Sequence, residues 1–209
     1  MVKEKELKKL KLTFKPCVLG VSGTIASGKD FVADYIAKSY GFKKITLSDY
    51  LRAEAIKRGK KPSRDYLRKL QAELRKEYGD DYLILKVIET ILKKDHMRMK
   101  NIVIVGLRTP LETKLAKEKL KAKLIFVDAN PFVRYIRQKK RHRTSGFSKT
   151  YEQFLHEEAL ENAAFDFHKV KKMVDFELDN SGTIDEMKKR VDIIMRKLKV
   201  KKLKLRKRK

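Results

Sequence analysis

Gly23, Gly28 and Lys29 stand in the order Gly-x-x-x-x-Gly-Lys, behind the apolar run "CVLGVS" (17–22) and ahead of a helical stretch. That spacing is suited to holding phosphate. The two glycines allow so tight a turn that the amide hydrogens of Thr24, Ile25, Ala26, Ser27 and Gly28 point inward. The helix start adds its partial positive charge, and the lysine reaches the outer phosphates. The next residue is Asp30, where such loops usually carry a hydroxyl for magnesium. A carboxylate can hold magnesium directly or through water, and it also suits the first turn of a helix. Asp30 therefore reads either as a metal ligand or as a helix-terminal acid.

Two further groups bear charge at useful spacing. In "TLSDYLRAEAIKRGKK" (46–61), Asp49 can cap the next helix and Arg52 follows three residues later. Arg52 can present its planar fork to a phosphate at the carboxyl end of the preceding strand. In "NPFVRYIRQKKRHRTSGF" (130–147), Arg134, Arg137 and Arg141 share one helical face by their spacing, and Arg143 follows. Phosphoryl transfer asks a protein chiefly for positioned cations around the transferring group. Ser145 and Gly146 give this stretch the freedom of a hinge, so that it could close over phosphates and exclude water. The following "YEQFLHEEALENAAFDF" (151–167) packs a helix whose Glu157, Glu158 and Glu161 partly neutralise those arginines.

Positioning these groups requires alternating strands and helices. "CVLGVS" (17–22), "KKIT" (43–46), "NIVIVG" (101–106), "KLIFVD" (123–128) and "DFELD" (175–179) read as strands. Helical periodicity runs near 29–39, 49–60, 64–78, 81–94, 110–121, 131–141, 151–164 and 183–198. The alternation predicts an α/β fold, a five-stranded parallel sheet covered on both faces. We expect one domain over residues 1–198, with acceptor-binding helices about 49–95, a small helical lid about 134–151, and a flexible basic tail at 199–209.

With these segments in place, the chain resembles the P-loop kinases of small phosphorylated molecules: adenylate kinase and other nucleoside monophosphate kinases, and dephospho-coenzyme A kinase. "SGTIASGKDFVADYIAKSYGF" and "LSDYLRAEAIKRGKK" are similar to their phosphate loop, first helix and acceptor segment. The "SGKD" variant is similar to the loops of animal phosphomevalonate kinase and phage deoxynucleoside monophosphate kinases. "LRKLQAELRKEYGDDYL", "VIVGLRTPLE" and "NSGTIDEM" resemble archaeal nucleotide kinases of the same superfamily. The resemblance covers roughly residues 16–197 and implies the three-layer P-loop NTP hydrolase fold, with ATP and Mg2+ as cofactors.

Residue by residue, it implies that Gly23, Ser27, Gly28 and Lys29 hold the donor's phosphates. Arg52 would hold the acceptor's phosphate, with Asp49 near its pocket. Gly106 and Arg108 match a Gly-x-Arg that follows an acid in many relatives, and Asn180 matches a turn flanking the nucleotide base. The lid arginines would stabilise the transition state. At the strand position expected to hold the aspartate stands Val105, which leaves Asp30 and Asp49 as the local carboxylates for magnesium.

The formal net charge is +27. Residues 196–209 carry ten Lys or Arg and no acid, so the rest of the chain still holds +17. A polyanionic partner such as nucleic acid, met through the tail, is one reading of that excess; a heat-adapted composition is another. No segment is long and apolar enough to span a bilayer, and the charged N-terminus lacks a signal core, so a cytoplasmic location is expected. Cys17 reads as a buried small residue, and His96, His142, His156 and His168 have no metal-ligand spacing. The favoured activity is an ATP-dependent phosphotransferase acting on a (deoxy)nucleoside monophosphate or dephospho-coenzyme A. The alternatives are a nucleic-acid-binding P-loop NTPase and a nucleotide-binding protein without transfer chemistry. The acceptor's identity and the oligomeric state stay open.

Overall fold

Ile102, Val103, Ile104 and Val105 are four successive β-branched residues, a run that suits a strand covered on both faces. In the computed structural model, which describes residues 17–92, 101–141 and 150–203, all four are at most 1% exposed. They lie in β3 (Asn101–Leu107) of a five-stranded sheet with β1 (Cys17–Gly23), β2 (Lys43–Thr46), β4 (Lys123–Asp128) and β5 (Phe176–Asp179). The order is β2-β3-β1-β4-β5, and every pairing is parallel.

The strand period of two divides the core. Ile102 and Ile104 face a layer formed by α2 (Leu47–Lys57), α3 (Arg64–Tyr78), α4 (Tyr82–Leu92) and α5 (Pro110–Leu120). There they join Leu51, Leu70, Leu74, Ile84 and Leu120. Val103 and Val105 face α1 (Lys29–Tyr40) and α9 (Ile184–Lys197), with Val32, Ile36, Val191 and Met195. Each such side chain, fully buried, contributes about 1.5–3 kcal/mol of transfer free energy. Val105 is part of that apolar layer, so β3 offers no carboxylate where one was expected.

Beyond β4 come α6 (Pro131–Arg141), α7 (Tyr151–Phe165) and the short α8 (Phe167–Lys172). The sequence pattern does not announce α8. It is separated from α7 by Asp166, a non-glycine residue at φ 51°, whose carboxylate accepts from the Lys169 amide at 3.3 Å and caps the new helix. Neither glycine nor proline marks that break.

A flexible basic tail was expected at 199–209; its first residues, through Leu203, contact the body of the fold, and 204–209 lie outside the described residues. The Leu203 amide donates to the Ser39 carbonyl at 2.8 Å, and Leu203 packs against Gly41 at the end of α1. Lys202 donates to the Tyr35 hydroxyl at 2.6 Å and to Asp192 at 2.9 Å, and lies over the Tyr35 ring. Lys202 thus ties this stretch to α1 and α9 through its charged end.

Candidate phosphate loop and anion site

The loop from Gly23 to Lys29 joins the carboxyl end of β1 to the start of α1. Gly28 supplies the left-handed turn at φ 90° that opens the helix. A β-carbon there would collide with the side-chain amide of Asn180; one on Gly23 would collide with the Val127 carbonyl. Ala26 is held at φ 56°, an arrangement that costs a non-glycine residue about 1–2 kcal/mol and persists only where surroundings impose it.

Those surroundings come from β4, β5 and α6. The Thr24 hydroxyl donates to Asp128 Oδ1 at 2.8 Å, and the Asn180 side chain donates to the Ser27 carbonyl at 2.8 Å. Arg134 donates from Nε to the Ala129 carbonyl at 2.7 Å and from Nη1 to the Ile25 carbonyl at 3.5 Å. The loop is thus tied at Thr24, Ile25 and Ser27. The Ser27 hydroxyl itself is buried with no hydrogen-bond partner among the described residues, so the cradle keeps an unused polar group inside it. Such an orphan is what a phosphate-holding loop would leave for its ligand.

The expected metal carboxylates are both engaged by cations. Asp30 lies 3.5 Å from Lys44 Nζ, which also meets Asp34 at 3.0 Å. Asp49 pairs with Arg52 at 3.0 Å, and Arg52 also donates to the Ser48 hydroxyl at 2.9 Å. Nucleotide-bound magnesium takes most of its ligands from phosphates and water and needs only one or two protein carboxylates. Asp30, nearly half exposed beside Lys29, fits that role if it leaves Lys44. Asp49 does not cap α2, whose N-cap is Thr46; it sits inside the first turn and pairs with Arg52.

The four lid arginines are not alike. Arg134 is 3% exposed, ion-paired with Glu158 of α7 and seated over the Phe154 ring, with Asp128 3.6 Å from its Nε. It holds the loop's backbone and is already partnered by carboxylates. Arg137 lies one turn further along α6. Arg143 and the side chain of Arg141 lie outside the described residues. Of the acidic run expected to neutralise the lid arginines, Glu158 meets Arg134, whereas Glu161 meets Arg108 beyond β3 instead, at 3.2 Å.

Arg108 leaves β3 through a bulge. The β1–β3 register passes from Val21↔Val105 to Ser22↔Leu107, skipping Gly106 at φ 92°. The Arg108 amide donates to Glu112 Oε2 at 2.8 Å, and Arg75 of α3 donates to Glu112 Oε1 at 3.3 Å. Glu112 is 1% exposed; burial pushes its carboxyl above the ordinary value, against the Arg108 and Thr109 amides and the Arg75 charge. The sequence reading missed Asp128, Glu112 and Arg75. An acid at the carboxyl end of the strand beside β1 was the available signal for Asp128. Arg75 had none, being one of several arginines along an amphipathic helix.

An AAA domain family matches residues 19–156. A UPF0200 protein of Methanothermobacter thermautotrophicus is 32% identical over 87% of this chain and 90% of its own length. One from Pyrococcus abyssi is 28% identical over 87% and 96%. Among solved structures, shikimate kinase from Bacteroides thetaiotaomicron superposes with a TM-score of 0.56 at 12% identity, covering 88% of this chain and 98% of that one. TT1252 from Thermus thermophilus gives 0.53 at 20% identity, covering 88% and 99%. The shared fold is that of a P-loop kinase. Among the described residues no helix is long and apolar enough to cross a membrane.

Proposed function

For a chain that belongs to the UPF0200 family and to an AAA domain family, we propose ATP-dependent phosphoryl transfer to a small phosphorylated acceptor. A nucleoside or deoxynucleoside monophosphate is the first choice and dephospho-coenzyme A the second. The observation that carries this reading is the phosphate loop itself, strained at Ala26, held at Thr24, Ile25 and Ser27, and retaining a buried unpaired hydroxyl.

In this reading the amides of residues 24–28 and Lys29 hold the donor phosphates, and Arg134 fixes the shape of the loop. Arg52 and Arg108 orient the acceptor at the carboxyl edge of the sheet. Arg137, Arg141 and Arg143 complete the cationic surround and exclude water. Asn180 holds the loop at Ser27 and would flank the nucleotide base. Magnesium, when bound, would neutralise charge on the donor phosphates, and Asp30, on leaving Lys44, is the carboxylate that would hold it. Asp49 is the more remote candidate, tied as it is to Arg52. A cytoplasmic location accompanies such an activity.

The test is ADP release from ATP and magnesium across nucleoside and deoxynucleoside monophosphates, dephospho-coenzyme A, phosphomevalonate and shikimate. One acceptor should raise turnover by orders of magnitude, and Lys29→Ala should abolish the rise with the fold intact. No response to any acceptor, or full activity in Lys29→Ala, would sink the reading.

The charge supports a second reading, a P-loop NTPase that binds nucleic acid through its basic tail. Five of the six residues 204–209 are Lys or Arg. Because Leu203 is docked, the informative deletion begins at 204, where it removes charge without stripping α1. RNA affinity that falls steeply with salt and collapses on this deletion would favour the second reading. Unchanged acceptor turnover would favour the first.

A further inference from the structure

Arg75 and Arg108 come from different elements and converge on one ring. Their guanidinium carbons lie 5.3 and 5.2 Å from the centroid of Phe165, at the end of α7. Glu112 joins them from below, taking Arg75 on one oxygen and the Arg108 amide on the other. This inner part is closed: Glu112 is 1% exposed, and the Arg75 side chain 17%. The outer part is open. Arg108 is 35% exposed, and its Nη1 is met only at 3.2 Å by Glu161, which arrives from α7.

The donor count is not balanced. Arg75 Nε is shut away from water with no acceptor among the described residues. A guanidinium donor left unmet in a protein interior is expensive, and such a group calls for a partner. Glu161 supplies one carboxylate from α7, and this half-buried pair rests on a single long contact that a better-matched anion can exchange. Two planar forks beside one aromatic ring, at the carboxyl end of a parallel sheet, suit an oxyanion with several acceptor oxygens better than they suit a single glutamate.

We propose that Arg75 and Arg108 together form the site for the acceptor's phosphate, and that Glu161 occupies it until the acceptor arrives. The inference rests on the acceptor's being anionic. It adds Arg75 as a specificity residue and makes Glu161 an internal competitor of the substrate. Since Glu161 belongs to α7, its displacement by phosphate frees the helix that also carries Glu158, the partner of Arg134 on the phosphate loop. Arrival of the acceptor is in this way felt at the donor site.

The test is a titration of the full-length protein with inorganic phosphate, followed by calorimetry in about 0.2 M chloride to screen diffuse binding to the basic surface. Lys29→Ala serves as the parent, so that the loop does not contribute a phosphate site. On that parent, Glu161→Gln should tighten phosphate roughly three- to fivefold by removing the competitor. Glu157→Gln, one turn earlier on the same helix, should leave affinity unchanged. Arg75→Lys keeps a charge beside Glu112 but loses the fork, and should weaken phosphate by roughly threefold or more. Equal affinity in Glu161→Gln and the parent, or equal gains in Glu161→Gln and Glu157→Gln, would overturn the proposal. So would an Arg75→Lys protein that unfolds at the parent's temperature and binds phosphate as well as the parent. None of these outcomes depends on turnover, so a failure of the kinase reading in the acceptor panel is seen separately.

Discussion

The side-chain amide of Asn180 donates to the carbonyl of Ser27 at 2.8 Å, joining the end of β5 to the phosphate loop across 153 positions of sequence. The same nitrogen fills the space that a side chain at residue 28 would need. Asn180 is thus a structural wall of the loop. Asn180→Ala leaves a buried carbonyl unpaired, at a cost of about 1–3 kcal/mol. We expect stability to fall by about that amount and ATP affinity to drop by roughly tenfold, read by nucleotide titration and urea unfolding. Wild-type ATP affinity in the variant would show that the loop holds its shape without this brace.

Lys44 keeps Asp30 from facing incoming phosphates as a bare charge. Lys44→Met should expose that carboxylate. Binding of ATP without magnesium should weaken, while the magnesium concentration needed for half-maximal ATP binding should fall by roughly two- to fivefold, the scale of a partly exposed ion pair. Titrations at several magnesium concentrations give both numbers. If neither moves, Asp30 is a helix-terminal acid and nothing more.

Arg134 and Glu158 form an ion pair in which both side chains are at most 10% exposed. Removing one partner strands the other, which in buried pairs costs about 3–5 kcal/mol. Glu158→Gln should fall at or below the low end, because Asp128 also faces Arg134. Glu157→Gln should change stability by less than about 0.5 kcal/mol. Denaturant midpoints compare the two, and equal midpoints would mean the pair is incidental.

Part of the acid sensitivity should map to Asp192. Burial pushes its carboxyl up, but donors from Tyr40, Lys202 and Tyr35 outweigh this and hold it below the ordinary 3.8. A depressed folded value means its contribution is whole above 3.8 and is lost as pH falls through the folded value. Burial and the same carboxylate push the Tyr40 hydroxyl well above its usual range. Asp192→Asn should lower the melting temperature near neutrality and flatten its decline on the acid side. Parallel acid limbs in the two proteins would place the sensitivity elsewhere.

Much of this was legible beforehand because local rules suffice for it. Short apolar runs and helical periodicity placed all five strands and eight of the nine described helices, with ends displaced by at most three residues. Gly-x-x-x-x-Gly-Lys located the loop because its shape depends on glycine and a helix start. What could not be read depends on partners far away in sequence. Arg134 looks like Arg137 in the pattern, and nothing local marks it as the one that meets Glu158 and the Ile25 carbonyl. Arg75 gains its meaning from Phe165, and Lys202 gains its own from two tyrosines of α1. The break at Asp166 escaped because its left-handed turn is sustained by a side-chain cap instead of a glycine.

The ties that shape the loop span 104 positions from Thr24 to Asp128, 109 from Ile25 to Arg134 and 153 from Ser27 to Asn180. Contacts that distant form only after the entropy of closing long loops has been met, which puts them late in folding. A chain with β1, β2 and β3 already paired would carry the whole motif without the cradle. Nucleotide would then recognise only the finished molecule. By binding it alone, ATP would pull the last folding steps forward by mass action, and the substrate would act as a ligand that helps complete its own enzyme.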